Sequence, residues 1–341
     1  MTTVYVTDAR FAAHTLKGHS ENAARLTTIQ DVLNEAGVMH LMHPIVPNPA
    51  TEDQILAVHE EDYLGLLTWT ETQRGMQLGP DTYVLPQSYG IAKLASGAVI
   101  DGVDAVMTGA ADNALICVRP PGHHATPKMG MGFCLLNNIA IAARHAQNAY
   151  GLSRVMIVDF DVHHGNGTQD AFYSDPSVLF LSTHQSPLYP GTGLINETGE
   201  DAGMGATINI PLPPGTGDRG YAAVYRDIVW PAATRFEPEL ILVSAGFDAH
   251  WVDPLAQIQL SLPTYTLFTH DLMAMADHFC GGRIGFVLEG GYNLTALGHG
   301  VLNVAYALLG QDEVSDPLGP AKYNEPDISG IIAQIKQIHG L

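Results

Sequence analysis

Cysteine is scarce in this chain: Cys117, Cys134 and Cys280 are the only three among 341 residues, and no two form a CxxC pair. That spacing argues against a disulfide framework and against a thiolate zinc knuckle, and makes a reducing cytoplasm the expected setting. Basic residues are scarce too, with 15 Lys and Arg against 35 Asp and Glu, a formal charge of −20. A phosphate-backbone ligand calls for basic patches, so no nucleic-acid partner is expected. The same field suits a cationic substrate, although net charge speaks equally to solubility. No apolar run approaches the ~20 residues that cross a bilayer, and no membrane partner is expected. The opening residues MTTVYVTDARF lack a basic stretch followed by an apolar one, so no secretory signal is read there. Internal repeats, low-complexity tracts and linker-like breaks are missing as well. What remains is 46% apolar and 15% charged residues. That balance suits one well-buried domain spanning residues 1–341. It leaves the oligomeric state open.

Apolar runs recur along the chain, at Thr3–Thr7, Leu115–Arg119, Val155–Phe160, Val178–Thr183, Ala206–Ile210, Leu240–Ser244 and Ile284–Leu288. Several are continuous Val/Ile/Leu/Phe stretches, the pattern of strands covered on both faces. Helix-patterned segments alternate with them: Tyr89–Met107, Asn138–Tyr150, Gly220–Arg235, Thr264–Phe279 and Thr295–Leu309. This order predicts an α/β fold with a mostly parallel central sheet and helices on both faces.

Open parallel sheets place their chemistry beyond the carboxyl ends of the strands. Four predicted strands run there into polar motifs: RPPGHHA (Arg119–Ala125), DFDVHHGNG (Asp159–Gly167), SAGFDAHWVDP (Ser244–Pro254) and LEGGYN (Leu288–Asn293). Asp161 and His163 stand two apart, so on an extended segment they share a face. With Asp248 from another strand end they form a three-ligand set with an open position, the pattern of catalytic zinc. Two carboxylates and one imidazole are a hard donor set, which leaves Fe(II) open as the resident ion. By the same alternation His164 points away and is read as structural. Asp159 lies deeper and suits an acceptor for a histidine. The prolines and glycine of RPPGHHA force a tight turn, and His123 and His124 in it can face one cavity as base and electrostatic partner. Asp159 and Asn166 are the acceptors that would orient them, and their different charge would push the two imidazole pKa values apart. Tyr292, after two glycines, can approach a ligand and donate a hydrogen bond to a substrate carbonyl. Taken alone, Tyr292 reads as an ordinary half-buried packing residue.

Together RPPGHHA, DFDVHHGNGT, SAGFDAH…DP and EGGYN closely resemble the zinc-dependent histone deacetylase family, and the match runs from GHSENAARL (Gly18–Leu26) to the C-terminal helices. GFDAH, EGGYN and Asn166 look like its class II branch, which includes bacterial histone-deacetylase-like amidohydrolases and acetylpolyamine amidohydrolases. The resemblance implies an arginase/deacetylase-like fold and metal-dependent hydrolysis of an acetyl or other short acyl group from acyl-lysine in a peptide or protein, or from an acetylated polyamine. A catalytically silent acyl-lysine-binding scaffold is the alternative of another class, and an arginase-like ureohydrolase would need more carboxylate ligands. By resemblance, Asp161, His163 and Asp248 match the zinc ligands, His124 the principal general base and acid, and Tyr292 the catalytic tyrosine. Gly132, Phe133 and Tyr189 match the walls of an acyl-lysine tunnel, and Asp81 a rim residue that holds the substrate backbone. Structural potassium is implied at Asp159, Asp161, His163, Ser182 and Thr183, and a second ion at Phe172, Asp175 and Val178. Three features depart from the pattern. The N-terminal HPExPxR element reads His19-Ser-Glu21-Asn-Ala-Ala-Arg25. Leu255 stands where a polyamine-specific branch carries a gatekeeper Glu. His250 replaces a small or apolar residue, and either lines the pocket or packs in the core or at the surface.

Overall fold

The computed structural model describes residues 1–341. Ten strands form in chain order: β1 (Thr3–Val6), β2 (His43–Ile45), β3 (Met76–Gln77), β4 (Tyr83–Val84), β5 (Asn113–Ile116), β6 (Val155–Asp159), β7 (Val178–Gln185), β8 (Thr207–Leu212), β9 (Leu240–Ala245) and β10 (Ile284–Leu288). Eight of them build one sheet in the order β2-β1-β5-β10-β9-β6-β7-β8, while β3 and β4 make a small antiparallel hairpin. Every pairing in the large sheet is parallel. The interior strands are continuous apolar runs because helices cover the sheet on both sides. β6, β9 and β10 are buried along their whole lengths.

Two groups of helices provide the cover. Ala24–Glu35, Leu262–Cys280 and Leu294–Leu308 pack on one another, as do Ser88–Met107 and Asn138–Tyr150. One apolar core of 90 buried residues joins them to the sheet. The predicted Gly220–Arg235 helix runs from Asp218 to Phe236 with a π-turn at Tyr225–Val229. The strand predicted at Leu115–Arg119 ends at Ile116. The Arg119 side chain turns inward to pair with Glu21, and the segment past Ile116 becomes a turn.

The sheet order matters for the site. β5, β10, β9 and β6, the four strands that lead into the polar motifs, are contiguous at its centre. Their carboxyl ends therefore converge although they are far apart in sequence.

A buried histidine fixes the loop behind this convergence. His59 is 2% exposed; its Nδ1 lies 3.0 Å from the Thr126 carbonyl, and its Nε2 accepts the Asn137 N–H at 2.9 Å. Both contacts demand a neutral ring, and burial pushes its pKa down to about 4. In the unfolded chain the value is near ~6.5, so below that pH the unfolded state binds the extra proton. Stability is thus present above pH ~6.5 and falls on acidification to about 4, by up to about 1.4 kcal/mol per pH unit from this residue. Urea midpoints of the wild type and His59→Gln across that range should converge as pH falls. A constant gap between them would contradict the assignment.

Candidate active site

Asp159 ends β6, and the chain then bends, so Asp161 and His163 do not lie on an extended strand. The alternation that predicted a shared face does not operate here; a bend at the strand end brings the two together instead. His163 Nδ1 lies 3.1 Å from Asp161 Oδ1 and 3.3 Å from Asp248 Oδ2. The remaining oxygens are held by main-chain donors. Asp161 Oδ2 accepts the Gly290 N–H at 2.8 Å, and Asp248 Oδ1 accepts the Val162 N–H at 2.9 Å.

One donor atom from each of Asp161, His163 and Asp248 lies within 4.8 Å of the others. Asp248 Oδ2 is buried and, despite its nearness to His163, makes no properly angled hydrogen bond. A buried, unpartnered carboxylate oxygen beside a second carboxylate is costly without a cation. Burial opposes charge on His163, but its hydrogen bond to Asp161 and the nearby Asp248 carboxylate hold its pKa up at about 10. The two carboxylates that favour a proton there would also attract a divalent cation. The donor set therefore fits a single ion of the zinc or ferrous type.

The tandem histidines face the same point from the other side. His123 Nδ1 lies 2.9 Å from Asp159 Oδ2, and His124 Nδ1 lies 2.8 Å from Asn166 Oδ1. Their rings are 4.1 Å apart. Burial disfavours charge on both. At His123 it is outweighed by Asp159, Asp161 and Glu289, and the pKa is held up at about 10. At His124 burial and the neighbouring imidazoles act together and hold it well below the usual histidine value. A charged partner for one ring and a neutral amide for the other thus separates them.

Above these groups opens a narrow cavity of about 220 Å³, lined by Asp81, Pro121, His123, His124, Gly132, Phe133, His163, Leu188, Tyr189, Leu255, Gly290 and Tyr292. Phe133 meets Tyr292 edge-on at 5.7 Å, and Tyr189 meets His124 at 5.2 Å. Gly132 has φ +56, and a side chain there would strike the His124 ring, so only glycine fits. Asp81 Oδ1 accepts the Gly132 N–H at 3.3 Å, and Leu255 is 37% exposed at the mouth. Burial raises the Tyr292 pKa well above the usual phenol value, which keeps its proton in place.

His164 turns away, with Nδ1 2.8 Å from Thr192 Oγ1 and Nε2 3.1 Å from Gln169 Oε1, and buttresses the loop that carries Tyr189. His250 does not line the cavity. It is buried against Trp251, and its Nε2 has no partner. Asp159 and Ser182 are register partners on β6 and β7, and the Thr183 hydroxyl donates to the Asp159 carbonyl at 3.2 Å. Asp175 gives its carboxylate to Arg144 and Ser177, and its N–H donates to the Phe172 carbonyl.

Several residues enter the site to which the sequence assigns no role there. Glu21 is buried between Arg119 and Arg25. Arg25 donates to the Gly291 carbonyl at 2.8 Å and the Glu289 carbonyl at 2.5 Å, with its guanidinium 5.1 Å from the Tyr292 ring centre. His19 packs edge-on against Phe133 at 4.7 Å. The divergent His19–Arg25 element thus supports both the tunnel wall and the tyrosine loop. Glu289 Oε2 accepts the N–H groups of Gly122 and His123 at 2.7 and 3.2 Å, anchoring the tandem-histidine turn, and burial pushes its pKa up to about 7. The visible signal was a carboxylate beside each motif, in HSENAAR and EGGYN.

The family model for the histone deacetylase domain matches residues 19–308. The chain belongs to that family. Chloroplastic histone deacetylase 14 of Arabidopsis thaliana is 42% identical over 350 residues, covering 96% of this chain and 82% of the relative. A histone deacetylase-like amidohydrolase of Pseudomonas aeruginosa is 40% identical over 303 residues, covering 88% and 80%. The crystal structure of the HDA15 HD domain superposes with a TM-score of 0.89 at 34% identity, covering 99% of this chain and 93% of the other. The fold is the arginase/deacetylase-like fold, and the chain is a hydrolase of the deacetylase and amidohydrolase kind.

Proposed function

We propose that the protein removes an acetyl or other short acyl group from the amine of an acyl-lysine side chain in a metal-dependent hydrolysis. One observation carries the reading. His163 of the Asp161–His163–Asp248 cluster, His123 and His124 with Asp159 and Asn166 behind them, and Tyr292 all line one narrow, aromatic-walled cavity.

Asp161, His163 and Asp248 would hold a zinc or ferrous ion, which would supply Lewis acidity toward the amide oxygen and the attacking water. Phe133 and Tyr189 flank the alkyl stem, and glycine at position 132 leaves room for it beside His124. His124, kept neutral by burial, takes a proton as water attacks the carbonyl carbon. Tyr292 donates a hydrogen bond to the oxygen on which negative charge develops. His123, held charged by its carboxylates, adds electrostatic stabilisation there. The C–N bond then breaks, a histidine returns the proton to the departing amine, and a carboxylate product leaves. Asp159 and Asn166 keep both imidazoles aimed. Potassium bound around Asp159, Asp161, His163, Ser182 and Thr183 would stiffen the strand ends beneath.

The rim supports a lysine-type substrate over a polyamine. Its carboxylate, Asp81, is spent partly on the Gly132 N–H, and Leu255 adds no charge at the mouth. Side-by-side assay of acyl-lysine peptides of increasing acyl length and of acetylated putrescine and spermidine tests this. Higher kcat/KM on an acyl-lysine peptide is expected. Preference for the polyamines would transfer the assignment to an acetylpolyamine amidohydrolase, and no turnover on any substrate would favour a binding scaffold.

A further inference from the structure

Asp253, in the segment SAGFDAHWVDP, takes no part in the site as described. Its side chain is buried, 6% exposed, and does not line the cavity. Yet its Oδ2 accepts the N–H of Tyr292 at 2.8 Å and of Asn293 at 3.0 Å, while Oδ1 accepts the N–H of Leu255 at 3.0 Å. One carboxylate therefore ties the loop after β9, which carries Asp248, to the loop after β10, which carries Tyr292.

We infer that Asp253 is the positioning residue that sets the Tyr292 phenol against the metal cluster. The inference rests on the reading of Tyr292 as donor to the substrate oxygen. The physical need arises from the two glycines before it. Gly291 has φ +117, a conformation open chiefly to glycine, and Gly290 passes so close to Asp161 and Asp248 that a side chain there would collide with both. Such a backbone brings the phenol near the ligands but does little to restrain it. Upstream, the Gly290 N–H on Asp161 and Arg25 on the Gly291 carbonyl pin the glycines themselves. At Tyr292 and Asn293, the main-chain N–H groups are held by Asp253. They also precede the Leu294–Leu308 helix, whose N-terminus favours an anion. Without the carboxylate two donors lose their partner, and the loop relaxes away from Asp248.

A residue that merely stabilised the fold would lower activity in any background. One that acts through the phenol would not. Asp253→Asn is nearly isosteric, so it is the variant least prone to misfold, but its NH2 must face either the Leu255 N–H or the Tyr292 and Asn293 N–H groups, and the tie between the two loops is lost either way. The variant is expected to lower kcat by about 10- to 100-fold, the cost typical of a misplaced catalytic group, with KM within about twofold. Metal content should stay unchanged. Combined with Tyr292→Phe, the same substitution should change kcat by less than about twofold, because the group it positions is gone. Hydrogen–deuterium exchange of the 289–296 segment should be faster in Asp253→Asn than in the wild type, with or without added metal. Wild-type turnover by Asp253→Asn, an equal loss in both backgrounds, or unchanged exchange in that segment would overturn the inference. Should the wild type hydrolyse no acyl amine, the functional reading fails, and the exchange measurement alone decides the role of Asp253.

Discussion

Chelating divalent ions is expected to abolish hydrolysis, zinc or ferrous iron to restore it, and Asp248→Ala to abolish it beyond rescue. The loss in the variant should exceed the about 100-fold seen when a mere orienting partner of a ligand is removed. Asp248 supplies the one oxygen in the cluster that is both buried and unpartnered. Without it, Asp161 and His163 remain as two donors, too few for a site that must also leave a position open. Asp161 is further occupied, with Oδ2 on the Gly290 N–H and Oδ1 on His163, and cannot turn to compensate. Elemental analysis should find close to one divalent ion per wild-type chain and none in the variant. A metal-free variant that still turned over would remove the ion from the mechanism altogether.

Tyr292→Phe is expected to lower kcat by about 10²- to 10³-fold, the usual cost of losing one donor to a developing oxyanion. Metal content and KM should stay near wild-type values. The hydroxyl is the only group removed, and the ring keeps its contacts with Phe133 and the Arg25 guanidinium. Because burial drives the phenol pKa well above its ordinary value, Tyr292 serves as a donor and not as a base. The pH profile of the residual activity should therefore keep the wild-type shape with a lower plateau. Unchanged kcat would leave Tyr292 as a packing residue of the tunnel.

The sequence reading and the structure part company at identifiable places. The apolar runs at β1, β6, β9 and β10 were legible because strands covered on both faces need uninterrupted Val, Ile and Leu. β2 was not, since His43-Pro-Ile45 is three residues at the sheet edge with little apolar signal. The Ala24–Glu35 helix is equally illegible: its sequence ARLTTIQDVLNE is mostly polar, and only Leu26, Ile29 and Leu33 with Arg25 are buried. The pairing of His123 with Asp159 and of His124 with Asn166 could be expected from residue chemistry, as imidazoles need acceptors on their far nitrogens. Asp253 and Glu289 could not be assigned that way. Their partners are backbone N–H groups of other loops, and a backbone donor leaves no trace in residue identity.

By itself, then, the sequence determined the class of fold, the residue types of the site and the charge difference between the two histidine acceptors. Each of these follows from local chemistry: apolar runs, turn-forming Pro and Gly, and titratable groups at strand ends. Only the tertiary structure decided that Asp161 and His163 meet at a bend beyond β6 and that His250 stays outside the cavity. It alone placed Asp253 under Tyr292. These depend on β5, β10, β9 and β6 lying side by side, an order fixed by how helices pack across the whole sheet, to which no single stretch of chain holds the key.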